Sequence, residues 1–228
     1  MSTMLNQEIK NILIHSQKHG WVLEPDAKCL LKLAGIKVPQ FAHATTVDDA
    51  LDFARKNNYP VVAKVVSPET IHKSDVGGVA LGITDDGILT ETFERFSAIK
   101  GFCGMLVEET LSGLELIVGA KVDYQFGPVV LLGIGGTGVE IYRDTALRMA
   151  PLRPEDAASM IKGLKAHQLL EGYRGAEPIN VAQLTQLLIT FSELVMQIEP
   201  YIESIDLNPV MCTAEQCLVA DARIMLKP

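Results

Sequence analysis

The sequence predicts an α+β fold divided between two lobes. Helical periodicity marks the first 57 residues, β-branched and apolar runs dominate from residue 61 to residue 142 around one helix, and long helical segments return after residue 154. Several β-like runs follow one another at hairpin distance, which argues against a regular βαβ ladder. A length of 228 residues suffices for one large domain or for two small lobes.

Three helices are predicted before residue 60. The first two end at glycines, and the second begins at a Glu-Pro pair, which suits a first helical turn. Thr46, followed three residues later by Asp49, has the spacing of a capping box and starts the third helix. The predicted ranges are 5–19, 24–35 and 47–57.

The period of the apolar pattern changes at residue 61, where VVAKVV begins the β-rich part of the chain. The predicted strands are 61–66, 78–83, 105–109, 114–120, 128–134, 139–142, 201–210 and 217–226, and the later helices are 89–100, 154–165 and 178–199. The helix at 178–199 carries leucines and valines at helical spacing, which indicates a core helix. We place a lobe boundary at Glu108-Glu109, which gives an N-terminal helical extension (1–22), a first lobe (23–108) and a second lobe (109–228).

The composition is that of an ordinary globular protein with an acidic surface. Hydrophobic residues make up 48% and charged residues 21%, with a net charge of −8. No cluster of lysine or arginine offsets this charge, so nucleic acid and anionic membranes are not expected partners. A nucleotide remains compatible, because a few local donors and a metal are enough to hold phosphates.

The cysteines and the chain start favour a cytoplasmic protein. The four cysteines show no CxxC pair and no zinc-ligand spacing, and we expect reduced, mostly buried thiols at Cys29, Cys103, Cys212 and Cys217. The first 20 residues alternate polar and apolar groups rather than forming the apolar core of a signal peptide, and we expect no segment of membrane-spanning length.

A lysine on an apolar strand and the loop after it form the first candidate site. Lys64 shares a strand face with Val62 and Val66, where a charge is costly unless it reaches water or meets an anion. The loop SPETIHKSDVGG then supplies lysine and serine donors, and its Gly77-Gly78 pair would let backbone amides approach a phosphate. Residues 64–78 therefore read as a phosphate loop, with an edge-strand lysine reaching water as the alternative.

Polar side chains near the C-terminus form the second candidate site. In SIDLNPV, Asp206 and Asn208 point to one face, and in LVADARI, Asp221 and Arg223 share a face. Two paired strands would bring Asn208 and Asp221 together, and carboxylate and amide oxygens together with phosphates and water suit Mg²⁺. A polar outer face of a hairpin explains the same pattern without a metal.

The segment from Gly133 to Gly138 matches G-x-G-x-x-G but not its required context. A dinucleotide site needs a helix directly after the glycines, whereas VEIYRDTALRMAP reads as strand and turn. We reject the dinucleotide interpretation and leave the role of this loop open. The chain also lacks G-x-S-x-G, H-E-x-x-H and Walker A sequences, so hydrolase, zincin and P-loop functions are not supported.

Taken together, four blocks resemble the ATP-grasp β subunit of ADP-forming acetate/acyl-CoA synthetases, a family related to succinyl-CoA synthetase β subunits. The blocks are AKVVSPETIHKSDVGGVALGI, GMLVEETLSGLELIVGA, FGPVVLLGIGGTGVEIYRDTALRMAPL and SIDLNPV…VADARIML. The resemblance extends over nearly the whole chain from Pro25. It implies an ATP-grasp fold, in which two α+β lobes clamp a nucleotide.

The resemblance also implies roles for particular residues. Lys64 matches a lysine that contacts ATP phosphates, and His72 matches a histidine that accepts a phosphoryl group in the acyl-CoA enzymes. An arginine tends to occupy the position of His72 in the succinyl enzymes, which favours the acyl-CoA branch here. The other implied contacts with nucleotide are Glu108, Leu111 and Glu115, and the implied metal ligands are Asn208 and Asp221.

The function implied is that of a nucleotide-binding subunit in a phosphate relay. The reaction interconverts acyl-CoA, ADP and phosphate with the free acid, ATP and CoA, using Mg²⁺. A partner α subunit would bind CoA and carry a second phosphohistidine, in an α2β2-like hetero-oligomer. Two alternatives are a carboxylate–amine ligase, which needs no phosphohistidine, and a nucleotide-sensing module that changes its affinity for a partner.

Overall fold

A computed structural model describes residues 5–136 and 144–228, which fall into two compact units. The small unit contains Leu23–Pro25 and Pro39–Leu111. The large unit contains the described residues of Met1–Val22, Asp26–Val38 and Ser112–Pro228. Each unit has its own antiparallel sheet, so the α+β prediction holds for both.

The small unit is built on a four-stranded sheet in the order β2-β5-β3-β4. All its pairs are antiparallel, and both faces of β3 are buried because every one of its residues is buried. The alternate residues Val61, Ala63 and Val65 belong to the unit's hydrophobic core. The strands are β2 (Phe41–Ala44), β3 (Val61–Val66), β4 (Val79–Ile83) and β5 (Gly104–Glu109).

Two helices, α3 (Val47–Asn57) and α4 (Asp86–Ser97), contribute to the same core. The predicted capping box of α3 is confirmed: Thr46 Oγ1 accepts a hydrogen bond from the Asp49 backbone N–H, and the Asp49 carboxylate accepts one from the Thr46 N–H. The hydroxyl of Thr46 donates to the same carboxylate and holds the pKa of Asp49 below its ordinary value. The start of α3 is thus fixed locally by the sequence.

The large unit is built on a seven-stranded antiparallel sheet in the order β1-β11-β9-β6-β7-β8, with β10 also pairing β9. The long strands β6 and β9 lie side by side at its centre, because Leu114 to Lys121 pair with Ser204 to Cys212. The strands are β1 (Trp21–Val22), β6 (Leu114–Asp123), β7 (Gly127–Ile134), β8 (Thr145–Met149), β9 (Ile202–Cys212), β10 (Cys217–Val219) and β11 (Ala222–Leu226).

Among the described residues of the large unit there are also four helices, although Glu24 and Pro25 group with the small unit. These helices are α1 (Gln7–Ser16), α2 (Glu24–Leu33), α5 (Pro154–Gly163) and α6 (Val181–Ile198). Helix α6 buries Leu184, Leu188 and Phe191 at helical spacing and contacts α5, β7 and β10, so its prediction as a core helix is confirmed. By length and composition it could also cross a membrane, with a mean hydropathy of 1.3, contrary to the expectation that no segment reaches that length. Since a buried core helix meets the same criterion, its packing explains its composition.

The division into units differs from the predicted one at the N-terminus. Residues 26–38 and the N-terminal segment group with the C-terminal half of the chain, and the small unit ends at Leu111 rather than at Glu108. The reason is strand pairing: Trp21 and Val22 pair with Met225 and Ile224 of β11. A two-residue strand carries too little pattern to be recognised in a sequence.

Several other details also differ from the predictions. Strands β1, β2 and β8 were not predicted, and the predicted strand 217–226 is divided at residues 220–221 into β10 and β11. The predicted strand 139–142 lies outside the described residues. The expectation of four reduced, mostly buried thiols is wrong: Cys212 and Cys217 face each other across the β9–β10 hairpin in a disulfide, and Cys29 and Cys103 are exposed.

Candidate functional site

Lys64 is an almost fully buried cation inside the small unit. It lies on β3 between β5 and β4, and only 8% of its side chain is exposed. Its Nζ is 2.8 Å from Oε1 of Glu24 and 2.7 Å from Oε1 of Glu108. The alternative of an edge-strand lysine that reaches water is therefore wrong. The anions that Lys64 meets in this structure are carboxylates of the protein.

Strand register explains why Glu108 reaches Lys64. Glu108 on β5 lies opposite Val62 on β3, so Lys64, two residues further along β3, is its diagonal neighbour on the same face. The family resemblance implied that Glu108, near the end of this strand, contacts the nucleotide. The structure places its carboxylate on the lysine instead, and a contact with nucleotide stays a prediction. Leu111, two residues beyond β5, is half-buried at the end of the small unit.

Glu24 supplies the second carboxylate and also binds a second lysine. Its Oε2 forms an ion pair with Nζ of Lys73 at 2.8 Å, and its side chain is 2% exposed. Lys73 directly follows His72, so one buried carboxylate joins β3 to the histidine loop. The sequence indicated only a helix start at Glu24-Pro25. An acidic residue in a first helical turn is common, and nothing in the pattern distinguished this one.

The cluster of Glu24, Lys64, Lys73 and Glu108 carries two positive and two negative charges. Each ion pair in it has a short N–O distance of 2.7 or 2.8 Å. Removing one partner from a buried ion pair typically costs about 3–5 kcal/mol, because the remaining charge is left in a poorly solvated place. The four side chains are therefore expected to hold one another in fixed positions.

His72 lies on an exposed loop whose backbone is held by internal hydrogen bonds. The residue is exposed and precedes a 3-10 turn at Lys73–Val76. The His72 carbonyl accepts a hydrogen bond from Asp75 N–H, and the Lys73 carbonyl accepts one from Gly78 N–H. His72 is thus exposed to solvent, whereas the backbone beside it is held in place by hydrogen bonds. This arrangement suits a side chain that reacts with a bound ligand.

The two glycines of this loop have different structural roles. Gly77 adopts a left-handed conformation with φ of +65°, and a Cβ there would meet open space. At Gly78 a Cβ would lie 2.4 Å from Cγ1 of Val65, so the loop returns to β3 too closely for any side chain. Both amides already donate to loop carbonyls, to Ser74 and Lys73 respectively. Their predicted binding of phosphate stays a prediction.

The structure brings Asn208 and Asp221 together in the large unit. Asn208 on β9 and Asp221, directly before β11, are neighbours: the Asn208 N–H donates to the Asp221 carbonyl at 3.2 Å. One oxygen of the Asp221 carboxylate accepts a hydrogen bond from the Ala222 N–H. The adjacency expected from the two strand patterns is therefore present.

Asp206 and Arg223 extend this polar group. They are direct register partners on β9 and β11, and their side chains form an ion pair at 3.1 Å. Burial raises the pKa of Asp206, the Arg223 charge opposes the shift, and the negative charge of Asp221 adds to it. The raised pKa of Asp206 is therefore chiefly an effect of burial, since the Arg223 charge counts for more than the Asp221 charge.

The donor set at Asn208 and Asp221 fits Mg²⁺. This ion prefers carboxylate and amide oxygens and commonly takes only one or two ligands from the protein, with phosphate and water completing its shell. Among residues 5–136 and 144–228, no group of three or more His, Cys, Asp or Glu side chains could hold a metal on its own. A two-ligand site shared with a nucleotide is consistent with both observations.

Glu115 lies in the large unit against the glycine loop that follows β7. Its carbonyl accepts a hydrogen bond of 2.7 Å from Gly135 N–H, and a Cβ on Gly135 would lie 2.8 Å from the Glu115 backbone. The neighbouring Gly136 has a φ of +92°. Gly135 therefore lets the loop pack against the start of β6, and Gly133 lets β7 approach Thr145 of β8. Gly138 lies outside the described residues. The exposed Glu115 side chain is left available.

Comparison with known proteins places the whole chain in one group. Residues 14–226 match the ATP-grasp domain family. The chain is 39% identical over 213 residues to the β subunit of acetate–CoA ligase (ADP-forming) I of Pyrococcus furiosus, covering 90% of this chain and 91% of that one. It is 38% identical to acetate–CoA ligase (ADP-forming) I of Archaeoglobus fulgidus, covering 91% of this chain but only 31% of that longer protein.

A solved structure agrees with this grouping. The acetyl-coenzyme A synthetase 1 of Candidatus Korarchaeum cryptofilum, in complex with coenzyme A and Mg-AMPPCP, superimposes with a TM-score of 0.85 at 35% identity. The match covers 96% of this chain and 100% of that one. In that structure a phosphohistidine segment points towards the nucleotide-binding site.

Proposed function

The chain belongs to the ATP-grasp family and, within it, to the β subunits of ADP-forming acetate–CoA ligases, and we propose that it transfers phosphate between ATP or ADP and His72. The observation that carries this proposal lies in the small unit. Lys64, which would contact the nucleotide phosphates, and Lys73, which adjoins His72, bind the two oxygens of one buried carboxylate. Lys64 is thus linked through the side chains of Glu24 and Lys73 to the residue next to the exposed His72.

The chemistry assigned to His72 follows from the imidazole. An unprotonated ring nitrogen attacks the γ-phosphorus of ATP, an N–P bond forms, and the bond to the bridging oxygen breaks as ADP leaves with the electron pair. Because a phosphoimidazole is energetic, the same step runs in reverse and returns the phosphoryl group to ADP. Lys64 offsets negative charge on the transferring phosphoryl group. Such a cation stabilises the transition state most when its position is fixed before the reaction begins.

Nucleotide and metal contacts complete the proposed site. We assign Asn208 and Asp221 as Mg²⁺ ligands and Glu108, Leu111, Glu115 and the Gly77-Gly78 loop as nucleotide contacts. The bound Mg²⁺ supplies positive charge that neutralises phosphate oxygens. The adjacency of Asn208 and Asp221, together with the amide and carboxylate oxygens that they offer, supports the metal assignment.

A second subunit is part of the proposal. The Pyrococcus relative is named as a β subunit, and the Archaeoglobus relative is about three times as long as the region that it shares with this chain. We infer that a CoA-binding α subunit forms acyl phosphate from acyl-CoA and phosphate, with CoA as the leaving group. Its own histidine then takes the phosphoryl group, and the free acid is released. That group then passes to His72, in a hetero-oligomer such as α2β2.

Intact-mass measurement after incubation with Mg·ATP tests the phosphoryl transfer. We expect one added phosphate that is labile in acid and stable in base, and we expect its loss in His72→Ala. His15→Ala is the matched control, since His15 is also exposed but lies on α1 of the large unit. Retention of the phosphate in His72→Ala would contradict the assignment. Vigorous acyl-CoA formation by the chain alone, from acid, CoA and ATP, would contradict the need for a partner.

A further inference from the structure

The Glu24 carboxylate is the shared anchor of two lysines that lie in different parts of the small unit. Lys64 is on the central strand β3, and Lys73 is on the loop that carries His72. Oε1 of Glu24 contacts Lys64 at 2.8 Å, and Oε2 contacts Lys73 at 2.8 Å. Each oxygen of the carboxylate therefore holds one lysine.

Lys73 is much less exposed than the loop residues around it, so its ion pair with Glu24 fixes the position of the loop. The neighbouring loop residues His72, Ser74, Asp75 and Val76 are exposed, whereas only 10% of the Lys73 side chain is exposed. Lys73 is thus the point at which an otherwise solvent-facing segment is fixed to the interior. Because His72 is the adjacent residue, fixing Lys73 limits where the imidazole can lie.

Lys64 does not depend on Glu24 alone. Glu108 also contacts its Nζ, at 2.7 Å, so Lys64 keeps a carboxylate partner if Glu24 is neutralised. Lys73 is held by the same carboxylate, through its ion pair with Oε2 of Glu24. Loss of the negative charge on Glu24 should therefore leave Lys64 paired on β3 while it removes a partner from the loop.

We propose that Glu24 is a positioning residue that sets the place of His72 relative to Lys64 by holding Lys73. The inference rests on the phosphoryl transfer proposed above. Glu24 does not contact the reacting atoms; it acts through the two lysines. Since a displacement of about 1 Å between reacting groups can slow a reaction about 100-fold, a loosened loop should slow transfer without abolishing it.

The test compares Glu24→Gln with wild type in single-turnover phosphorylation at saturating Mg·ATP. Glutamine keeps the shape of the side chain but has only one acceptor oxygen, so it cannot serve both lysines. We expect the rate constant of phosphorylation to fall about 10–100-fold while the final phosphate per chain stays at the wild-type value. A variant that merely unfolds in part would show the opposite pattern, a lower final amount formed at an unchanged rate constant.

Glu69→Gln is the matched control. Glu69 also pairs with a lysine of the small unit, Lys100, but that lysine is 87% exposed and should matter little. We expect its rate constant to equal that of wild type. An equal decrease in both variants would overturn the inference, because removing any carboxylate would then suffice.

Lys73→Met provides a second variant in case Glu24→Gln folds poorly, and it completes a double-mutant cycle. If Glu24 acts through Lys73, the double variant should be no slower than the slower single variant, within about threefold. Multiplicative effects, or an unchanged rate constant in Lys73→Met, would overturn the inference. If wild type accepted no phosphate, the proposed function itself would fail, whereas normal phosphorylation of Glu24→Gln would contradict only the role of Glu24.

Discussion

At the scale of single residues, the adjacent glycines Gly77 and Gly78 are required for different physical reasons. Gly77→Ala places a side chain in open space but in a left-handed conformation, which costs about 1 kcal/mol. Gly78→Ala places a Cβ 2.4 Å from Val65, a buried residue on a strand that cannot move aside. We therefore expect it to cost about 1–3 kcal/mol in the free energy of unfolding, measured by urea titration.

A Val65→Ala background separates the two causes. Removing the valine methyl groups creates the space that the Gly78→Ala methyl needs, so the cost of Gly78→Ala should shrink in that background. The cost of Gly77→Ala should stay the same, because it arises from the backbone. Equal costs of Gly78→Ala in both backgrounds would show that the close approach to Val65 is not what requires glycine.

The residue scale also shows what a sequence can and cannot reveal about the site. Asn208 lies on β9, and Asp221 directly precedes β11, which pairs with β9. The strand patterns were therefore enough to predict that the two residues are neighbours. Glu24 contacts Lys64 although the two residues are 40 positions apart, one on a helix and the other on a strand. No periodic sequence pattern predicts such a contact. Cys212 and Cys217 flank a four-residue turn, and that spacing was a signal of a hairpin pair that could have been recognised.

At the scale of elements, Asp86 joins the end of α3 to the start of α4. Its carboxylate accepts hydrogen bonds from Arg55 Nε at 3.0 Å and from the Tyr59 hydroxyl at 2.7 Å. These contacts hold the pKa of Asp86 below its ordinary value, chiefly through Arg55. Burial and the bond to Asp86 raise the pKa of Tyr59 to about 12. The contact between the two helices therefore depends on a protonated Tyr59 hydroxyl, which donates the hydrogen bond to Asp86.

This link predicts a loss of stability at alkaline pH. Because the pKa of Tyr59 is raised in the folded state, its contribution is fully present below about pH 10 and is lost as the pH rises towards 12. Tyr59→Phe should cost about 1 kcal/mol at pH 7 and remove this part of the pH dependence. Urea midpoints at pH 9 and pH 11.5 measure both effects, and identical alkaline losses in wild type and variant would contradict the link.

At the scale of the whole molecule, the types of element were predictable and their grouping was not. Long periodic segments such as α3, α6, β6 and β9 were recognised, because each repeats its apolar spacing over many residues. Residues 26–38 were expected in the first lobe but group with the C-terminal half of the chain. Their grouping depends on contacts such as the hydrogen bond from the Val219 N–H to the Lys37 carbonyl. Such contacts join segments that share no local pattern.

The whole-molecule property that the proposal predicts most directly is stabilisation by a metal–nucleotide complex. A ligand that binds only the folded state at 100 times its Kd adds about 2.7 kcal/mol to stability, so Mg·ADP should raise the apparent unfolding temperature. ADP with EDTA should raise it less, because the proposed site would then bring phosphate charge close to the Asp221 carboxylate without a cation. The difference between the two conditions measures the contribution of the metal.

Asp221→Asn should remove most of that difference, since an amide binds Mg²⁺ less strongly than a carboxylate does. Asp52→Asn is the control, because it makes the same chemical change at an exposed position on α3. The response to ADP with EDTA should survive in Asp221→Asn or even increase, as one negative charge near the phosphates is gone. If Asp221→Asn kept the full magnesium-dependent shift, Asp221 would not be a ligand. The polar pair on β9 and β11 would then be only the outer face of a sheet.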